Sequence, residues 1–106
     1  MTETVRKALS ELKERLQSAY GDRLVAIILY GSVARGDYTE GSDVDVAIVL
    51  RGGFFAAKEI NRVSPIVSEI SLRYGITISV LPVPEDWWRE RRSPLLINLR
   101  KDGITL

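Results

Sequence analysis

The sequence predicts an α+β fold, a small mixed or antiparallel sheet with helices packed on one face. Apolar periodicity switches between helical and extended segments in the order α-β-turn-β-α-β-α-α-β. The turn between the first two strands is too short for a helical crossover, so those strands are expected to be antiparallel neighbours and the sheet not doubly wound. A length of 106 residues suits one domain, 1–106, that buries a single core.

Val5, Leu9, Leu12, Leu16 and Ala19 recur at helical spacing, which predicts an amphipathic helix from about Glu3 to Tyr20, stopped by Gly21. Leu24 to Tyr30 is a short, continuous apolar run and reads as a strand buried on both faces, with Tyr30 in the core. Gly31 to Gly41 is a turn region in which a short helix can start at Ser32; Asp43 to Leu50 is the second strand. Arg51-Gly52-Gly53 breaks it, and Ala56, Ile60, Val63, Val67, Ile70 and Tyr74 form a helical stripe. Pro65 inside that stripe is expected to kink or divide the helix, with Ser64 as a new cap. A third strand runs from Ile76 to Val83, followed by short helices over Glu85–Arg92 and Pro94–Lys101 and a last strand at Ile104–Leu106.

Composition narrows the chemistry. The chain has neither Cys nor His, which removes disulfides, thiol nucleophiles, Cys/His zinc sites and imidazole acid–base catalysis. A metal here must be oxygen-ligated, which points to Mg²⁺ or Mn²⁺. The absence of cysteine agrees with a cytoplasmic location. The net charge of +1 gives no global field toward nucleic acid or membrane, so strong nucleic-acid binding is not expected. No apolar run is long enough to span a bilayer, and the N-terminus does not have the pattern of a signal peptide.

The chemistry concentrates in Tyr30-Gly31-Ser32-Val33-Ala34-Arg35-Gly36 and the following Ser42-Asp43-Val44-Asp45. Alternation along a strand points Asp43 and Asp45 to one face, about 6.5–7 Å apart from the strand rise. At an effective dielectric near 20 two ionised carboxylates at that distance repel by roughly 2.5 kcal/mol. A divalent cation between them reverses the sign; in a two-metal phosphoryl-transfer site one ion holds the triphosphate and the other activates the attacking hydroxyl. The plainer alternative is two solvent-facing acids on a half-exposed strand. Gly31 lets backbone approach a ligand closely. Ser32 can donate its N–H and hydroxyl to a phosphate oxygen, and Arg35 can fork onto the same triphosphate. Asp37 and Glu40 read as solvated loop charges. Of Trp87 and Trp88, one is expected to anchor a helix on the core and the other to be exposed. That exposed Trp and the apolar Pro94-Leu95-Leu96-Ile97 point to a surface covered by another chain, a homo-oligomer included.

These residues resemble the minimal nucleotidyltransferases, the MNT proteins of the DNA polymerase beta-like superfamily. The match lies in Gly31-Ser32-Val33-Ala34-Arg35-Gly36 and Ser42-Asp43-Val44-Asp45, and the helix and strand order extends it over nearly the whole chain. The resemblance implies the polymerase beta-like fold, nucleotide binding by Gly31, Ser32 and Arg35, and Asp43 and Asp45 as catalytic metal ligands. It also implies a third carboxylate on a later strand. Here that strand, Ile76-Thr77-Ile78-Ser79-Val80-Leu81, has no acid; Thr77 stands nearest the expected place, Ser79 shares its face, and Glu85 and Asp86 follow the strand. MNT proteins resemble the antitoxins of HEPN/MNT pairs, in which a HEPN ribonuclease is neutralised by AMP transfer to a tyrosine or by binding.

The leading expectation is therefore Mg²⁺- or Mn²⁺-dependent transfer of AMP from ATP to a hydroxyl, a tyrosine of a HEPN-domain partner. The alternative is a catalytically weakened module that neutralises such a partner by complex formation, which the missing third acid favours. A transferase for small molecules or RNA ends ranks last, because such enzymes use a second domain to place the acceptor.

Overall fold

Thr2 begins the first helix by accepting the Val5 N–H on its hydroxyl at 3.2 Å. The computed structural model, which describes residues 1–39 and 41–106, then runs through helix α1 (Glu3–Tyr20), a single 3₁₀ turn (Gly21–Arg23), strand β1 (Leu24–Tyr30), helix α2 (Gly31–Arg35), strand β2 (Val44–Leu50), helix α3 (Ala56–Tyr74), strand β3 (Ile78–Pro84), helices α4 (Glu85–Glu90) and α5 (Pro94–Asp102), and strand β4 (Ile104–Thr105). Glu40 lies outside the described residues. Among the described residues no helix is long and apolar enough to cross a membrane.

The sheet order is β3-β2-β1-β4. β1 is antiparallel to β2 and β4, whereas β2 and β3 are parallel because α3 carries the chain across between them. The sheet is thus small and mixed, as the sequence suggests. β3 is an edge strand, and Pro82 and Pro84 on it have no N–H to offer a passing strand.

Strand alternation divides the core. Ile27 and Leu29 of β1, Val44, Val46, Ile48 and Leu50 of β2, and Ile78 of β3 pack under α1 and α3 with Val5, Leu9, Leu12, Leu16, Val63 and Ile70. The other face has a smaller cluster of Ile28, Ala47, Val49 and Val83 against Leu96 and Leu99 of α5, with Trp88 at its margin. Helices on one face therefore describe α1 and α3; α4 and α5 extend the expectation by covering part of the second face. Their apolar content is small, and the uncovered end of that face is where the polar residues of β2 stand.

One sequence expectation needs correction. Pro65 neither divides nor recaps its helix: α3 is continuous, and the Ser64 hydroxyl donates back to the Ile60 carbonyl at 2.8 Å, a bond within the helix and not a cap. The buried faces on either side of Pro65 hold the helix together. In addition, Glu59 on α3 is buried, and its environment explains why. It accepts the Tyr20 hydroxyl at 3.0 Å and pairs with Arg23 at 3.2 Å, while Arg23 also donates to the Arg51 and Gly53 carbonyls at 3.0 and 2.7 Å. Burial, then the hydrogen bond to Glu59, pushes the Tyr20 phenol up to about 12. This network clamps the end of α1 to the start of α3, at the end of β2 remote from Asp45.

Candidate functional site

β1 and β2 meet in the register Tyr30↔Asp45, and β2 meets β3 in the register Asp45↔Ser79. Directly paired residues project to the same side, so Tyr30, Asp45 and Ser79 form a row across three strands. Their side is the one that carries Ile28, Ala47 and Val49. Asp43 joins the row: the Ser79 hydroxyl donates to its Oδ2 at 3.4 Å. Both acids therefore stand on one side of the sheet, as strand alternation requires.

Gly31 holds Asp45 in place. Its φ of +73° lies in the left-handed region, and a Cβ there would overlap Asp45 Oδ2 and approach the Asp45 Cγ at 3.3 Å. Glycine is needed for both reasons: the backbone turns sharply out of β1 into α2, and the carboxylate occupies the space a side chain would take. Ser32 follows in the first turn of α2, where N–H groups have no helical partner. Arg35, in the last turn, is exposed and pairs with Asp37 at 3.3 Å.

Tyr30, Gly31, Ser32, Arg35 and Asp45 line one side of a cleft of about 470 Å³, and Leu95, Asn98, Leu99 and Asp102 of α5 line the other. The volume suits a small organic ligand. Burial raises the Asp45 carboxyl above its ordinary range, the Asp43 charge raises it further, and Arg35 opposes both. The Tyr30 phenol is likewise raised, first by burial and then by Asp45. An acid whose proton is held by burial and a like charge is one that a cation relieves.

The donors suit a hard cation, since both are carboxylate oxygens. Among the described residues, however, no group of three acidic side chains lies close enough to hold one ion. The position on β3 opposite Asp45 is Ser79. Thr77, expected from sequence to stand nearest, gives its carbonyl to the Val44 N–H at 2.8 Å and lines a separate hollow with Thr2 and Tyr38. Glu85 is at the opposite end of β3, paired with Arg51 at 3.7 Å.

The structure thus brings together Gly31, Ser32, Arg35 and Asp45 in one cleft, with Asp43 beside it. Tyr30 departs from the sequence reading: it is half-buried and faces the cleft. Asn98 and Asp102 were missed altogether, although the spacing Leu95, Asn98, Leu99, Asp102 marks one face of a helix. Trp88 packs against the second cluster and Trp87 is exposed beneath the Arg91 guanidinium, 3.7 Å from its ring centre.

The family model described as nucleotidyltransferase domain matches residues 7–100. Protein MJ0604 of Methanocaldococcus jannaschii, assigned by inference as a protein adenylyltransferase, is 35% identical over 85 residues, which is 80% of this chain and 79% of that protein. A solved structure assigned by inference as a minimal nucleotidyltransferase superposes with a TM-score of 0.68 at 20% identity, covering 98% of this chain and 94% of the other. A toxin–antitoxin crystal structure with AMP-PNP superposes with a TM-score of 0.64 at 15% identity, covering 91% of this chain and 69% of the matched one. At these identities the two solved structures speak for the fold.

Proposed function

The chain belongs to the nucleotidyltransferase domain family, and from that premise we propose that it moves AMP from ATP to a hydroxyl, a tyrosine of a HEPN-domain toxin. The observation that carries the reading is the cleft in which Gly31, Ser32 and Arg35 border Asp45, with Asp43 beside them. The Ser32 N–H and hydroxyl, with the Arg35 guanidinium, seat the triphosphate, while the missing Cβ of Gly31 lets the Asp45 carboxylate stand directly beside it. Asp43 and Asp45 would hold the divalent cation, Mg²⁺ or Mn²⁺, which would neutralise phosphate charge around the reacting phosphorus. In the transfer the tyrosine oxygen bonds to the α-phosphorus, the bond to the β-bridging oxygen breaks, pyrophosphate leaves, and the phenolic proton passes to water in the open cleft. Arg35 must leave Asp37 to reach the phosphates, an exposed pair that costs little to break.

The tyrosine acceptor and the HEPN partner rest on the resemblance of Gly31–Gly36 and Ser42–Asp45 to the MNT proteins. The adenylyl group rests on the similarity to MJ0604, and the toxin–antitoxin neighbour fits the fold of such a pair. Labelled ATP, Mg²⁺ and a purified HEPN partner give a labelled partner in this reading, and Asp43→Asn with Asp45→Asn abolishes the label. Equal labelling by the double variant contradicts the mechanism.

Ser79 supports a second reading. A neutral hydroxyl opposite Asp45 binds a cation less strongly than a carboxylate, which favours a module that neutralises its partner by complex formation. That reading predicts a stable complex without ATP, indifferent to Asp43→Asn; calorimetry showing no complex in the absence of nucleotide removes it.

A further inference from the structure

We propose that the α5 wall of the cleft reads the ribose of the bound nucleotide, with Asp102 accepting from the sugar hydroxyls and Asn98 supporting it from one turn earlier. The inference rests on the nucleotide-binding reading of this cleft and adds the part of the nucleotide that Asp102 and Asn98 recognise. Both residues line the cleft opposite Ser32 and Arg35. Among the described residues neither side chain makes a hydrogen bond, and Asp102 makes no ion pair.

Local structure gives Asp102 no reason to be acidic. It is the last residue of α5, where unpaired carbonyls make the potential negative and a cation is preferred; Arg100 and Lys101 beside it follow that rule and Asp102 breaks it. An exposed anion at the wrong end of a helix, bordering the cleft and lacking a protein partner among the described residues, fits a ligand that supplies donors. The triphosphate cannot be that part, because it is itself anionic. Nor is Asp102 a third cation ligand, since no three acids among the described residues lie close enough together. The remaining donors of a nucleotide are its sugar hydroxyls and base amines. A carboxylate facing a vicinal diol is a recurrent solution for ribose, and the neighbouring Asn98 amide can both donate and accept. Leu95, half-exposed one turn further out, leaves an apolar surface for the base. From Leu95 to Asp102 the helix rises about 10 Å, the scale of a nucleoside.

The wall is also held firmly. A Cβ on Gly103 would overlap the Leu99 carbonyl and the Ile28 side chain, so glycine lets the end of α5 settle directly on β1. The Gly103 N–H closes the helix on the Leu99 carbonyl at 3.0 Å. Asp102 is thereby fixed relative to the turn that carries Gly31.

Calorimetry with ATP, 2′-deoxy-ATP, 3′-deoxy-ATP and inorganic tripolyphosphate, each with Mg²⁺, tests the assignment. The wild-type chain binds ATP about tenfold more tightly than the deoxy analogue lacking the contacted hydroxyl, since that analogue leaves a charged acceptor unpaired. Asp102→Ala brings that ratio to about one while tripolyphosphate binding stays unchanged; Asn98→Ala lowers it partly. An unchanged ratio in Asp102→Ala overturns the proposal. So does a loss of Mn²⁺ affinity in that variant without nucleotide, which makes Asp102 a cation ligand. Wild-type chain that binds neither ATP nor tripolyphosphate refutes the nucleotide reading itself, a result distinct from ATP binding without sugar discrimination.

Discussion

Replacing Asp45 by Asn keeps the shape that fits against Gly31 and removes one charge. At the roughly 6.5–7 Å expected between alternate strand positions, the wild-type acids repel by roughly 2.5 kcal/mol at an effective dielectric near 20. Water in the open cleft screens that repulsion, and loss of the attraction to Arg35 offsets part of the gain, leaving a net stabilisation of about 1 kcal/mol. For a chain of this size that raises Tm by about 4 °C. The sign also sets a pH dependence. Asp45 holds its proton more tightly folded than unfolded, so the ionised acid detracts from stability above its folded pKa, and the penalty disappears as pH falls through that pKa. The advantage of Asp45→Asn is therefore present at neutral pH and vanishes in acid. On the proposed function Mg²⁺ with ATP reverses the order, because ligand at a hundredfold its Kd stabilises the wild-type chain by about 2.7 kcal/mol, whereas the variant lacks one of the two proposed cation ligands. Thermal melts of both proteins, with and without Mg²⁺-ATP, give the four values needed. A ligand-free variant that melts below wild type shows that the two acids do not repel in the folded chain, and one that gains as much from Mg²⁺-ATP shows that Asp45 holds no cation.

Ser79→Asp places a third carboxylate opposite Asp45; it raises Mn²⁺ affinity by about tenfold or more, read by electron paramagnetic resonance titration, and lowers ligand-free stability through added repulsion. In carbon-13 NMR titrations Asp43→Asn lowers the Asp45 pKa and Arg35→Ala raises it, because the first removes a like charge and the second an opposite one. Gly31→Ala forces an alanine to φ +73° against the Asp45 carboxylate; calorimetry then shows nucleotide binding lost, with a melt lowered by strain of about 1–3 kcal/mol. Glu59→Ala leaves the Tyr20 hydroxyl and Arg23 without their shared acceptor, and urea unfolding shows a loss of about 2–4 kcal/mol with nucleotide affinity little changed.

Much of this architecture is legible in the residues because the signals are local. The stripe Val5, Leu9, Leu12, Leu16 needs no tertiary knowledge to read as a helix face, and the short loop between β1 and β2 dictates that they run antiparallel. Asp43 and Asp45 share a side because strand alternation allows nothing else. Context defeats the same rules elsewhere. Pro65 signals a break, yet packing on both sides of it preserves α3. Tyr30 ends an apolar run that reads as core, yet the fold leaves it half-buried and lining the cleft. Ser79 and not Thr77 stands opposite Asp45 because the β2–β3 register pairs them, and the register between strands far apart in sequence is not carried by apolar pattern alone. Asn98 and Asp102 look like ordinary polar residues until α5 is folded back beside Gly31, a placement set by Gly103 and Ile28 far apart in sequence.

A crystal of this chain soaked with AMP-PNP and Mn²⁺, with the ion placed by anomalous scattering, decides whether the paired acids and the Gly31-Ser32 turn form one nucleotide site. The expected map has Mn²⁺ bound by the Asp43 and Asp45 carboxylates and phosphate oxygens on the Ser32 N–H. Nucleotide ordered away from that cleft, or ordered in it with both carboxylates free of the ion, contradicts it.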